Sequence, residues 1–372
     1  MQTMSGIFSR KKTPAFGQAR LSALAVLGMI SVMLAACAST TTNQSWSGLA
    51  LKGDLAYLAH NTIISAVNLS SGQKAWQYPE KADAKVLFYG DPLVDSKGDL
   101  AVAAYNGSVV KLDPASGALK WKHDGDGSKI IAPLIEGPDG SYYASSESGD
   151  LLILDSTTGT LKSKIHLGKA TSWGAMAADA QRIYVATIEH KVYAVDFQSG
   201  KTDWTVTLDA SIAGGATLAD GKLLVGTFAG EVIALDAQTG TTVWKVKTDG
   251  WVWQAPVAAG NSVFATDLGG TLHAMAPADG TPQWSKKLEA SIQAAPAVDG
   301  ELVFIGTTKG TVRAYSAADG TQKWEQTLEG GVFGALRVFG GKLLIVVSGS
   351  KYQLAALAPD SGSIVWTYVE PA

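Results

Sequence analysis

One thiol, five imidazoles and a recurring set of carboxylates and aromatic rings are the side chains of this 372-residue chain with chemistry to offer. The thiol is Cys37, the only cysteine, at the end of the run Leu34-Ala35-Ala36. It is the one thiol nucleophile, and because it is alone it leaves no disulfide and no vicinal pair. His60, His123, His166, His190 and His273 lack metal-ligand spacing and read as turn or surface residues. Gly-x-Ser-x-Gly, P-loop and dinucleotide patterns do not occur. No catalytic residue, metal site or cofactor site is assigned, and the chain is expected not to be an enzyme.

Two sets of residues could recognise a partner. Asp209, Asp249, Glu289 and Glu329 recur at equal intervals, with Asp126 and Gly168 at the corresponding points of earlier copies. They read either as solvated turn acids or as an arc that docks a basic partner or a cation. Slightly further on stand Trp251-Val252-Trp253-Gln254, with Trp173, Gln293 and Phe333 at or next to the equivalent position in other copies. Aromatic rings beside a polar rim suit a protein partner or an extended strand, and packing between sheets is the alternative.

The element that must position both sets is a repeat. Gly-x-x-x-Trp occurs at Gly72/Trp76, Gly117/Trp121, Gly200/Trp204, Gly240/Trp244, Gly280/Trp284, Gly320/Trp324 and Gly362/Trp366, and a degenerate copy pairs Gly159 with Ser163. Successive spacings are 45, 42, 41, 40, 40, 40 and 42 residues, room for four short strands with tight turns. In the sixth copy the strands are expected at 252–258, 262–267, 271–276 and 282–287, separated by glycine-containing turns. The third strand of the fifth copy alternates Val232, Ala234 and Asp236 against Glu231, Ile233 and Leu235, so both faces are largely apolar. A sheet buried on both faces needs neighbours on both sides, which radially stacked blades supply. The expected fold is all-β, an eight-bladed β-propeller of four-stranded antiparallel blades.

Ten residues before each Trp position stand Ala66, Lys111, Ile153, Ala194, Ala234, Ala274, Ala314 and Ala356. Alanine opposite a broad indole suggests a ring-into-notch contact between sheets. Burying ~200 Å² per indole at ~25 cal/mol/Å² is worth at most about 5 kcal/mol each. Trp76, Trp121, Trp204, Trp244, Trp284, Trp324 and Trp366 are therefore assigned to structural packing between blades. With Trp46 entering an innermost strand and Trp366 on an outer one, an N-terminal strand either completes the last blade or does not.

The N-terminus reads as an export signal. Arg10, Lys11, Lys12 and Arg20 precede an apolar run from Leu21 to Ala36, too short and wrongly flanked for a membrane span. Residues 1–36 are expected to be a lipoprotein signal peptide, because Leu34-Ala35-Ala36-Cys37 resembles a bacterial lipobox. Residues 37–45 then form the lipidated cysteine and a flexible tether, and residues 46–372 the propeller. Without the signal, 26 Lys and Arg face 33 Asp and Glu, a net charge of −7, so no nucleic-acid partner is expected. Ala38 after the lipidated residue resembles outer-membrane sorting in a host with two membranes. In a host with one membrane the protein would sit on the outer face of the cytoplasmic membrane. Composition agrees with a packed fold: 46% hydrophobic residues, 17% charged and 11 Trp exclude a disordered chain.

The Gly-x-x-x-Trp repeat with Ala-hydrophobic-Asp upstream, as in Ala194-Val195-Asp196 and Ala234-Leu235-Asp236, resembles the PQQ-like β-propeller repeat family over nearly all of residues 46–372. No recurring Gly-His and Trp-Asp pair supports a WD40 repeat. Within the family, the eight repeats and the lipid anchor are similar to the lipoprotein subunit that serves outer-membrane β-barrel assembly. The resemblance implies a non-catalytic, lipid-anchored scaffold outside the cytoplasm, with a β-barrel assembly subunit as protein partner. A surface module for peptides or sugars, or a quinone (PQQ)-binding protein, is the alternative. Quinoprotein dehydrogenases of the superfamily need a cofactor cradle capped by adjacent cysteines and a calcium site, and this chain has no cysteine pair.

Overall fold

The computed structural model describes residues 47–370, and Cys37, the signal, the tether and Trp46 lie outside the described residues. Thirty-two strands form eight four-stranded antiparallel sheets, and no helix occurs among the described residues. Each sheet is one blade of an eight-bladed β-propeller, as expected from the repeat. Blade 1 spans residues 48–78, blade 2 93–123, blade 3 135–166, blade 4 177–207, blade 5 216–247, blade 6 257–287, blade 7 297–327 and blade 8 336–368. Every blade is built from consecutive strands, so blade 8 is complete without a strand from the N-terminus.

The innermost strands are shorter than the sequence suggested. In blade 6 the innermost strand is Val257–Ala259, and residues 251–256 form an irregular approach to it. The cause is packing: Val252 is fully buried between blades 5 and 6 and so anchors the connection rather than pairing in a ladder. The other strands of the blade are Ser262–Thr266, Thr271–Met275 and Pro282–Lys287.

The core is eight inter-blade layers. The third strand of blade 5, Glu231–Asp236, sends Ile233 and Leu235 into the layer shared with blade 4, and Val232 and Ala234 into the layer shared with blade 6. That is how a strand with two apolar faces buries both. The layer between blades 8 and 1 contains Leu49, Leu58 and Val67 against Leu344, Val346 and Ala356. Glu370 adds polar closure, accepting from Ser65 Oγ at 2.7 Å and pairing with Lys74 at 3.0 Å.

The repeated tryptophan has a different partner from the alanine ten residues before it. Ala234 and Trp244 are cross-strand neighbours in one blade, as are Ala194 and Trp204, and Ala314 and Trp324. The small alanine lets rings on the second and fourth strands meet above it, as in Tyr184–Trp204 at 5.9 Å and Phe304–Trp324 at 5.8 Å between centroids. The contact between blades is made with a glycine. Trp204 lies on the Gly240 turn of blade 5, where an added Cβ would come within 2.7 Å of Cε3, and Gly240 has a φ of 73°. Trp204 Nε1 donates to the Ala237 carbonyl in the same turn at 3.2 Å. Thus glycine is required there twice, for its left-handed backbone and for its missing side chain. Trp366 repeats the contact on Gly72 of blade 1 and donates to Leu69 O at 2.9 Å, closing the ring.

One layer departs from this rule, and another keeps it, with Trp121 on Gly159, but replaces the alanine. Blade 3 has Ser163 at the Trp position, so Gly200 meets only Ile165, and Tyr143 packs edge-on against Phe197 at 5.2 Å in the same layer. Between blades 2 and 3, Lys111 occupies the alanine position. Its ammonium is buried 2.8 Å from Asp95 and donates to the Ser156 carbonyl, while Tyr142 donates to the same carboxylate at 2.5 Å. Burial pushes Asp95 upward, but these hydrogen bonds outweigh it and hold the carboxyl below its ordinary range.

Candidate functional site

Both candidate sets lie on the connections that lead from the outermost strand of one blade to the innermost strand of the next. In an antiparallel meander these connections share one end of the ring, so the acids and the aromatic residues four positions further on occupy the same face. Register places the aromatic set strictly. Leu93, Ile135, Ala177, Thr217, Val257, Ala297 and Arg337 hold equivalent places on the innermost strands of blades 2 to 8. Four residues earlier stand Tyr89, Ile131, Trp173, Ala213, Trp253, Gln293 and Phe333.

These residues surround the axis. A cavity of about 270 Å³ is lined by side chains or backbone from all eight blades, including Tyr89, Trp173, Trp253, Gln254, Gln293 and Phe333. Aromatic rings therefore come from blades 2, 4, 6 and 8. Trp251 does not line this cavity. It stacks on Phe228 at 5.0 Å and 15°, and Phe228 stacks in turn on Trp253 at 5.2 Å and 25°. The three-ring stack fixes the plane of Trp253 from one side, which gives Trp251 a supporting place in the set. Phe228 was missed in the sequence because it lies after the second strand of blade 5, outside the connection.

Among the described residues, the cavity wall carries two charged side chains. Arg337 Nη2 lies 2.8 Å from Asp91 Oδ2, and Asp91 Oδ1 accepts from the Leu49 amide at 2.9 Å. The wall is thus close to neutral. A quinone bearing three carboxylates would need several cations, and the one guanidinium among the described residues of the wall is already paired, so these residues do not fit PQQ.

The acids are exposed at the outer part of the face. Asp209 pairs with Lys245 of the next blade at 2.9 Å, and that hydrogen bond lowers its pKa. Asp126 pairs in the same way with Lys164 at 2.6 Å. Glu289 and Glu329 make no ion pair among the described residues, so their carboxylates stand unpaired on the connections that follow blades 6 and 7.

Asp249 differs from its counterparts. Its Oδ2 accepts from Thr271 Oγ1 at 2.9 Å, and its amide donates to Asp267. His273 Nε2 lies 2.7 Å from Asp267 Oδ2, so one histidine, read from sequence as a turn or surface residue, joins two carboxylates close enough to share an ion. Burial would raise the Asp267 carboxyl, yet the bonds from His273 and the Thr271 amide hold it below its ordinary range. With those donors in place, Asp267 is already satisfied by protein, and the group reads as a hydrogen-bonded brace for the connection after blade 5.

Comparison with known proteins agrees with this architecture. The family model described as outer membrane protein assembly factor BamB matches residues 59–162, 147–215, 192–291 and 268–372. The crystal structure of BamB from Moraxella catarrhalis superposes with a TM-score of 0.67 at 19% identity, covering 85% of this chain and 94% of that one. A computationally designed protein, Ika8, superposes with a TM-score of 0.70 at 16% identity, covering 89% of this chain and 98% of that one. At these identities the likeness shows the fold, and a designed protein sharing it shows that the fold alone carries no function. No curated protein matches the sequence. The family model, which spans most of the propeller in four overlapping stretches, decides the classification: the chain belongs to the outer membrane protein assembly factor BamB family.

Proposed function

We propose that this protein is a non-catalytic, lipid-anchored scaffold outside the cytoplasm that serves the assembly of outer-membrane β-barrel proteins. The family match across residues 59–372 carries the reading. Cys37 is the anchor, and the partner is a protein subunit of the assembly machinery. The docking face is the one formed by the inter-blade connections, with Asp209, Asp249, Glu289 and Glu329 presenting negative charge to a basic partner. Exposed acids on one rigid ring favour fast, oriented association more than they favour affinity. Trp251 and Trp253 stiffen the same face through Phe228.

The test is mass spectrometry of proteins crosslinked to, and purified with, the lipidated chain from native membranes, beside a Cys37→Ala control. An outer-membrane β-barrel assembly protein should be enriched, and the control should lose it. Recovery of other membrane complexes without any such protein would overturn the reading.

A further inference from the structure

The outermost strands of the blades differ in one respect that the repeat does not require. Each is paired on one side only, so each turns a row of backbone N–H and C=O groups to solvent, an open edge that proteins ordinarily guard with charge or proline. The outermost strands of blades 1 to 7 are guarded. Every one contains Lys, Asp or Glu, as in Leu119–His123 with Lys120 and Lys122, Leu161–His166 with Lys162 and Lys164, and Pro282–Lys287 with a proline as well as lysines. The outermost strand of blade 8, Ile364–Tyr368, contains none of these, and its neighbour Leu354–Leu357 is likewise uncharged. Ile364 and Val365 are 44% and 50% exposed, and Val369, just beyond the strand, is 54% exposed. Glu370, two residues past the strand, is turned to Ser65 and Lys74 of blade 1. Among the described residues no strand or bridge pairs with the outer side of Ile364–Tyr368.

We infer that this edge pairs with the same edge of a second copy of the chain, antiparallel about a two-fold axis, joining two blades into one eight-stranded sheet. Charge, strand type and symmetry select that occupant. With Trp366 on the axis, Val365 stands opposite Thr367 and Ile364 opposite Tyr368, so no charge within the strand is desolvated or opposed. The same pairing centred on the Trp position of blade 2 or blade 3 would set Lys120 against Lys122 or Lys162 against Lys164, and like charges directly opposite are destabilising. Uncharged β-branched and aromatic residues without proline make strands that pair readily with their own kind. An antiparallel pair of identical strands is what a two-fold axis produces, so the contact closes at two copies and does not grow into a fibre. Successive strands turn by about 20–25°, so the outermost strand lies roughly 60–75° from the innermost, and the two-fold axis runs closer to the ring axis than across it. The connection faces of both copies then point the same way and stay open, and the pairing is independent of the assembly role.

The test is sedimentation velocity of the lipidated full chain in a density-matched detergent across micromolar concentrations, with hydrogen exchange of the same samples. A concentration-dependent dimer is expected, with amides of Ile364–Tyr368 that exchange more slowly in the dimer than in the diluted monomer. Val365→Lys should weaken association about tenfold or more with an unchanged melting temperature, and Val243→Lys, at the equivalent place on the outermost strand of blade 5, should leave it intact. If Val365→Lys fails to fold, Thr367→Lys at the exposed Thr367 takes its place. A monomer throughout, a dimer that neither blade 8 variant weakens or that Val243→Lys weakens equally, or a dimer without added protection at Ile364–Tyr368 would overturn the inference. A monomer whose crosslinks to another envelope protein are lost with Val365→Lys would overturn it in favour of a partner's strand on this edge.

Discussion

The guanidinium of Arg337, at the start of blade 8, lies 2.8 Å from the carboxylate of Asp91, at the entry to blade 2, although 246 residues separate them in the chain. Blade 1 lies between those two blades, and its Leu49 amide donates to the same carboxylate. Three blades are therefore tied at the axis, beside the Trp366–Gly72 contact that joins blades 8 and 1 further out. Asp91→Ala should lower stability by about 1–2 kcal/mol, a modest figure because both side chains are partly exposed. Denaturant unfolding measures the loss, and proteolysis near residues 47–50 should rise with it.

Each inter-blade tryptophan and the turn glycine beneath it should act as one unit. Trp324→Ala should cost about 3–5 kcal/mol. Gly362→Ala should also destabilise, because a Cβ there would lie 2.4 Å from Trp324 Cε3 on a backbone with a φ of 73°. In the double variant the steric part of the glycine cost disappears, so the two losses should sum to less than their separate values. A double-mutant cycle by urea unfolding reads this directly.

At the layer between blades 2 and 3, Lys111→Met should cost about 3–5 kcal/mol, because it leaves the Asp95 carboxylate buried without its cation. Replacing Asp95 by Leu in the same chain should recover most of that loss. Thermal unfolding of the two variants distinguishes a paired buried charge from simple packing.

Acid should weaken the fold in two stages. Burial pushes the His60 imidazole below its ordinary pKa, against the opposing charge of Glu370. The unfolded chain then binds more protons than the folded one, so stability held above about pH 6.5 declines as pH falls below it. Asp95 and Asp267 are held below the usual carboxyl range, so their contribution is present above about pH 3.9 and is lost as pH falls further. His60→Gln should remove the first stage and keep the second, as followed by melting temperature against pH.

The repeat made the fold legible because glycine, tryptophan and alanine recur with the period of one blade. The glycine under Trp204 belongs to the next copy of the same motif, so the motif contained both halves of the contact without showing that they met. The ring pairs over alanine were harder to see, since Tyr184 and Phe304 lie on second strands whose residue type varies between blades. Asp91–Arg337 and Asp267–His273 were not legible at all, because neither pair recurs from blade to blade. The candidate face was legible in outline. The sequence aligned Trp173, Gln293 and Phe333 only approximately with Trp253, whereas strand register puts all four at one position.

Docking of an outer-membrane assembly partner on the acidic face of the ring is tested by site-specific photocrosslinking in native membranes. The crosslinker is placed at Glu289 or Glu329 on that face, and at Asn261 or Asp299 on the hairpin turns at the other end of blades 6 and 7. Adducts with a β-barrel assembly protein are expected from the first pair of positions and none from the second. Adducts with that protein from Asn261 or Asp299, and none from Glu289 or Glu329, would contradict it.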